Sequence, residues 1–333
     1  MLSNCGSITS LKLPEHTAEL GNYVFEGCTG LTTLHLPASL TKIGTYAFSG
    51  VPLETLTFAE GSQLKEIGNS AFYGCRLTEI ALPEGLETIG NYAFQYSKLQ
   101  SVTIPASVRT INQYAFGDCY DLESVTFAKD SAVELIGQNA FIYGRSLKNV
   151  TFDGVVAEEL EFGSSAFMGC TALESFVVPE NVTKIGLTCF LFCISMTDFQ
   201  FESVAKGTVS KLEKIDNNAF KGTGISEFVF PESSADSISL GTKMFFACPN
   251  LTSVTLSPQI TNISDVFTGC LRLESITIPA ENKNFISSGG VIYNQNQDVV
   301  DILFVYSVTT PDEEGKPLAD ENGKVVLPSN TTQ

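Results

Sequence analysis

Ile43-Gly44-Thr45-Tyr46-Ala47-Phe48 returns as Ile67-Gly68-Asn69-Ser70-Ala71-Phe72 and again as Ile89-Gly90-Asn91-Tyr92-Ala93-Phe94. Each copy ends on a phenylalanine. That anchor recurs at Phe25, Phe48, Phe72, Phe94, Phe116, Phe141, Phe167, Phe190, Phe220, Phe245 and Phe267, with successive anchors 22 to 30 residues apart. A fixed period within roughly 20–50 residues marks a solenoid, whose units bury their apolar faces against one another. The 333 residues are therefore read as one stacked array rather than the two domains such a length would suggest.

Upstream of the anchor each unit carries Leu-x-x-Leu-x-Leu-Pro, as in Leu31-Thr32-Thr33-Leu34-His35-Leu36-Pro37 and Leu273-Glu274-Ser275-Ile276-Thr277-Ile278-Pro279. The period-two alternation is that of a half-buried strand, and proline, which lacks an amide donor, ends it. One such strand per unit, always running the same way, predicts a parallel sheet along one face. Its inward positions are Leu34/Leu36, Leu56/Phe58 and Ile80/Leu82. The slot of Gly44, Gly68, Gly90, Gly137, Gly163, Gly186 and Gly241 also admits Asn112 and Asp216. Asn and Asp tolerate positive φ best among non-glycine residues, so a left-handed turn is expected there, with Ser264 an exception.

Cysteine usage points to structure. Cys28, Cys75, Cys119, Cys170, Cys193, Cys248 and Cys270, seven of the nine, fall three residues after an anchor. The same slot holds Val51, Ser97 and Gly144, so it selects for small size, and a free Cys behaves as a small hydrophobe. No second Cys/His pair completes a zinc site beside Cys189 and Cys193. A net charge of −18 opposes nucleic-acid binding, and no apolar run is long enough for a membrane span. The acidic surface suits basic partners or loose calcium binding, and more simply a solvated exterior. The first residues lack the basic and apolar regions of a signal peptide, and neither end resembles a polar cap, so the chain reads as a fragment of a longer repeat protein.

Repeat length follows one residue. Units of 22 or 23 residues end their strand in Leu36, Leu82, Ile104, Val178 or Leu256, and units of 24 to 30 end it in Phe58, Phe127, Phe152, Phe201 or Phe230. The larger ring is expected to fill interior opened by a wider loop. The added residues, 59–63, 128–132, 153–159, 202–211 and 231–239, all follow the strand and should project along one rim, where solenoids often bind. The array is expected over 1–280 as about eleven to twelve units. A β-hairpin follows over 281–306, then a polar loop over 307–323 and the start of a truncated repeat over 324–333.

Leu122-Glu123-Ser124-Val125-Thr126-Phe127 and Ser107-Val108-Arg109-Thr110-Ile111-Asn112-Gln113-Tyr114-Ala115-Phe116-Gly117-Asp118-Cys119 resemble the BspA-type leucine-rich repeat. The resemblance runs from residue 2 to about 328. It implies a right-handed, curved leucine-rich-repeat horseshoe, an α/β-type but β-rich solenoid with its parallel sheet on the concave face. It also implies a surface-exposed or secreted bacterial protein, and it carries over no catalytic residues.

The residues themselves show no enzyme motif. His16 lies in a loop, and His35 stands outward beside Thr33 and Thr57 rather than a carboxylate. Outward sheet positions are mostly Ser or Thr, except from Asn149 to Val229, beside the widest loops. Asn149, Thr151, Asp198, Gln200, Glu227 and Val229 are therefore the candidate partner-binding residues. The expected function is a non-catalytic interaction or adhesion module, monomeric and without cofactor or metal. Its partner would be a protein or other cell-surface macromolecule. The alternative is a structural spacer or stalk with no ligand of its own.

Overall fold

The computed structural model describes residues 5–288, 291–294 and 299–302. The expected polar loop over 307–323 and the truncated repeat over 324–333 lie outside them. The chain winds into a β-solenoid of about twelve coils, with parallel pairing from coil to coil. Among the described residues helix is confined to one five-residue segment, Glu202–Lys206, so the α/β-type expectation is corrected there to an all but purely β architecture.

The Leu-x-Leu segments form the expected parallel strands, and Thr33–Leu36 shows the alternation directly, with Leu34 and Leu36 buried between exposed Thr33 and His35. This face is not one sheet, however. It divides into four parts: Ser10–Lys12 to Thr55–Phe58, Ser101–Ile104 to Asn149–Phe152, Ser175–Val178 with Asp198–Phe201, and Glu227–Val229 to Ser275–Thr277. Between the first two parts, Thr78–Leu82 forms no strand, and its Glu79, Ile80, Ala81 and Leu82 amides donate no backbone hydrogen bond among the described residues.

A second sheet, absent from the sequence reading, is the continuous one. The residues just before the glycine slot, from Glu19–Leu20 and Lys42–Ile43 through to Lys214–Ile215 and Ser239–Leu240, make ten parallel strands without a break. Each strand is two to four residues long, too short for periodicity to reveal it.

The glycine expectation is overturned. None of the seven slot glycines has positive φ. A Cβ on Gly68 would stand 2.7 Å from Ile43 O, and one on Gly90 would stand 2.7 Å from the carbonyl carbon of Gly68. Glycine is required because consecutive backbones touch there. Counted from its anchor, the slot before Phe267 is held by Ile263 rather than Ser264, and the ten-stranded sheet has ended by then.

Left-handed residues sit instead two places before and two places after each anchor, for example Tyr46 (φ 55°) and Gly50 (φ 67°) around Phe48. The alternation turns amides toward the next coil. Tyr46 N donates to Asn69 O, Phe48 N to Ala71 O and Gly50 N to Tyr73 O, at 2.8 Å each. The turn is thus a third hydrogen-bonded side of the solenoid.

Between these sides the eleven anchor rings stack in one column, with centroids 4.9 Å apart at Phe25–Phe48 and 6.1 Å at Phe245–Phe267. Where the column loosens, Phe176, Phe199 and Phe228 pack edge-on against Phe190, Phe220 and Phe245. The strand-ending rings Phe127, Phe201 and Phe230 are buried as expected, whereas Phe58 and Phe152 are only half so. The cysteine slot closes the core. Sγ of Cys75, Cys119, Cys170, Cys193 and Cys248 donates to the anchor carbonyl of the preceding coil at 3.1–3.3 Å. These five and Cys189 are free thiols.

From Phe285 pairing turns antiparallel, with Phe285–Ser288, Val291–Asn294 and Val299–Ile302 forming a three-stranded meander.

Candidate functional site

The outward positions of the Leu-x-Leu face present side chains to solvent because the strand pleat sends alternate residues away from the core. Interruptions in the ladder add relief to that surface. Each of the three breaks coincides with a hollow.

Asn149 and Thr151 line the hollow at the break between Asn149–Phe152 and Ser175–Val178, with Ser175, Val177 and Glu202, enclosing about 380 Å³. Asp198, Gln200, Glu227 and Val229 line the next, at the break between Asp198–Phe201 and Glu227–Val229, of about 360 Å³. The six residues singled out from sequence therefore divide between two neighbouring hollows. The Glu202–Lys206 helix stands between them, giving Glu202 to the first and Val204 and Ala205 to the second. This helix is built from the residues inserted in the 30-residue unit, and it is held by two ion pairs of Lys206. Its Nζ lies 2.7 Å from Glu202 and 3.6 Å from Glu180. Gly207, left-handed at φ 68°, closes its C-terminus.

The chemistry of the pair is mixed apolar and acidic. Val177 and Val204 are 48% and 42% exposed, large fractions for β-branched apolar side chains. Asp198 accepts a hydrogen bond from Gln200 Nε2 at 2.8 Å, which orders both along one strand. Glu227 is exposed, and no ion pair among the described residues engages it. Val177, Glu202 and Val204 were missed from sequence. The length of the loop after Phe201 marked their neighbourhood, but not that it would coil into a helix against the face.

A third hollow, about 510 Å³, lies over the Thr78–Leu82 segment, which forms no strand, and is lined by Glu54, Glu79 and Glu84 with Thr57, Ser101 and Thr103. Sequence reading did not find it, since Leu77-Thr78-Glu79-Ile80-Ala81-Leu82 repeats the strand pattern faithfully. His35 is exposed, its Nδ1 2.8 Å from Thr57 Oγ1, and no carboxylate among the described residues pairs with it. Among the described residues no group of three or more His, Cys, Asp or Glu side chains is placed to hold a metal ion, and no helix is long and apolar enough to cross a membrane.

A family model described as the BspA type leucine rich repeat region matches six copies, over residues 1–63, 60–158 and 160–296. Among solved structures, the chain is similar to a leucine-rich repeat protein from Bacteroides ovatus, 23% identical over 82% of this chain and 70% of that one, with a TM-score of 0.56. It is also similar to the T. pallidum leucine rich repeat protein, 30% identical over 50% of this chain and 78% of that one, with a TM-score of 0.44. The pneumococcal vaccine antigen PcpA is 25% identical over 76% of this chain and 70% of that one, with a TM-score of 0.45. The first of these shares the fold; the other two stand as weaker likenesses. No curated protein matches the chain.

Proposed function

Because the chain belongs to the BspA-type leucine-rich repeat family, we propose that it is a non-catalytic, protein-interaction module of a surface-exposed or secreted protein. It is monomeric, with the Leu-x-Leu face on the concave side of a right-handed curve. A macromolecular partner binds across that face between Asn149 and Val229, against the Glu202–Lys206 helix and the adjoining rim loops. Residues 1–280 form the binding array, and 281–306 a hairpin that interrupts it.

One observation carries the reading. From Asn149 to Val229 the outward strand positions that depart from Ser and Thr line two adjoining hollows, with the exposed Val177 and Val204 beside the carboxylates of Asp198, Glu202 and Glu227. Relief and mixed chemistry of this kind are what a specific contact needs, and a smooth Ser/Thr face does not supply them.

The test is binding of the purified chain to a panel of extracellular proteins and intact cells, compared with an Asp198→Lys/Glu227→Lys variant of unchanged melting temperature. The proposal expects a ligand whose affinity falls by about tenfold or more in the variant. A chain that binds nothing is a spacer, and one that binds equally well after charge reversal does not use this site.

A further inference from the structure

Another side of the solenoid carries a different feature. Over the ten-stranded sheet, ion pairs run from coil to coil: Lys42–Glu66 and Lys65–Glu87 at 2.9 Å each, then Arg109–Glu134, and further on Glu161–Lys184 at 3.6 Å. This ladder covers the strands with mutually neutralised charge. It is interrupted around Leu135. Leu135 occupies the outward position between Thr110 and Glu161, where its neighbours carry polar or charged groups.

At that interruption lies a hollow of about 830 Å³, lined by Ala132, Leu135 and Val156 with Glu134, Glu158, Glu159 and Glu161. Two widened loops wall it, joined by the Ser131–Val155 bridge. Val156 is 62% exposed, so the floor is apolar and open. The rim is acidic and under-neutralised. Arg109 is taken by Glu134, Lys184 faces Glu161, and no ion pair among the described residues engages Glu158 or Glu159. Lys211 reaches this loop but donates to the main-chain carbonyl of Glu158, at 2.8 Å.

We infer that this hollow is a second docking surface, separate from the Leu-x-Leu face, and that its occupant is a segment of another protein in which Lys or Arg flanks an apolar residue. The apolar side chain covers Val156 and Leu135, and the cations meet Glu158 and Glu159. The inference rests on the reading of the chain as an interaction module, but on none of the residues that carry that reading.

The test uses three fluorescent peptides, alternating Lys with Leu, Lys with Ser, and Glu with Leu, titrated against the whole chain at physiological salt. The Lys/Leu peptide is expected to bind, the Lys/Ser peptide about tenfold more weakly, and the Glu/Leu peptide not at all. Val156→Ser should abolish the preference for Leu, and Glu158→Lys/Glu159→Lys should abolish binding. Glu26→Lys/Glu274→Lys, which makes the same change of charge elsewhere on the exterior, should leave it intact. Equal loss in both double variants would reduce the effect to attraction by the net charge and overturn the site, as would equal binding of the two Lys peptides. Capture by the Leu-x-Leu face is scored separately through Asp198→Lys/Glu227→Lys, so either reading can fail alone.

Discussion

At the residue scale, two glycine slots look alike in sequence and differ in physics. Gly90 has ordinary φ but no room: a Cβ would meet Gly68 C at 2.7 Å and Ile67 O at 2.8 Å. Gly74 has φ 66° and open space around it. Gly90→Ala must push two coils apart and should cost about 3 kcal/mol or more, whereas Gly74→Ala bears only the left-handed penalty of roughly 1 kcal/mol. Ala247, left-handed at φ 58°, makes the converse case, and Ala247→Gly should stabilise by about 1 kcal/mol. Chemical denaturation of the three variants checks the order.

The thiols make a second residue-scale case. Burial pushes the thiols of Cys119 and Cys170 up from 9.0 to about 12 and raises those of Cys75, Cys193 and Cys248. In the folded chain they should ignore a thiolate-directed reagent until denaturant is added. The same shift sets a pH dependence. Between 9.0 and about 12 the unfolded chain holds fewer protons than the folded one, so stability falls as pH rises through that window. The slope is up to about 1.4 kcal/mol per pH unit for each such thiol, and alkaline melting should be steeper than in a Cys119→Ser/Cys170→Ser variant.

At the scale of elements, the two sheets divide the work. The ten-stranded sheet and the turn ladder run coil to coil without interruption, while the Leu-x-Leu face is broken in three places. Hydrogen exchange should report this difference. Amides at Gly68, Gly90 and Phe94, bonded at 2.7–2.8 Å to neighbouring coils, should exchange slowly, and those of Ala81 and Leu82 fast. Equal protection at both places would mean that the break closes in solution. The Leu-x-Leu strands were legible because four residues of alternation are enough to see. The Ile-Gly strands were not, since two residues carry no period. The helix at Glu202–Lys206 was likewise hidden: it is shorter than any helical pattern, and Phe201 supplies no side-chain cap to announce it.

At the scale of the whole molecule, the column of stacked rings makes each coil depend on its neighbours. Phe116 is wholly buried, between Phe94 at 5.1 Å and Phe141 at 5.3 Å. Phe116→Ala should cost about 3–5 kcal/mol and, because coupling is nearest-neighbour, should split one unfolding transition into two halves of the array. Calorimetry would show a second transition; a single one at lower temperature would mean that the coils remain coupled past the cavity.

The sequence by itself determined the period, the inward faces of the Leu-x-Leu strands, the recurring phenylalanine anchor and the small interior cysteine slot. Each is a choice of side-chain size or polarity repeated in place, so it is written in the residues. Only the tertiary structure decided why glycine is needed, where the sheet breaks, and which outward residues share a hollow. Those features depend on the distance between consecutive backbones and on where an inserted loop comes to rest. Neither is a property of one unit, because both arise only when one coil is laid on the next.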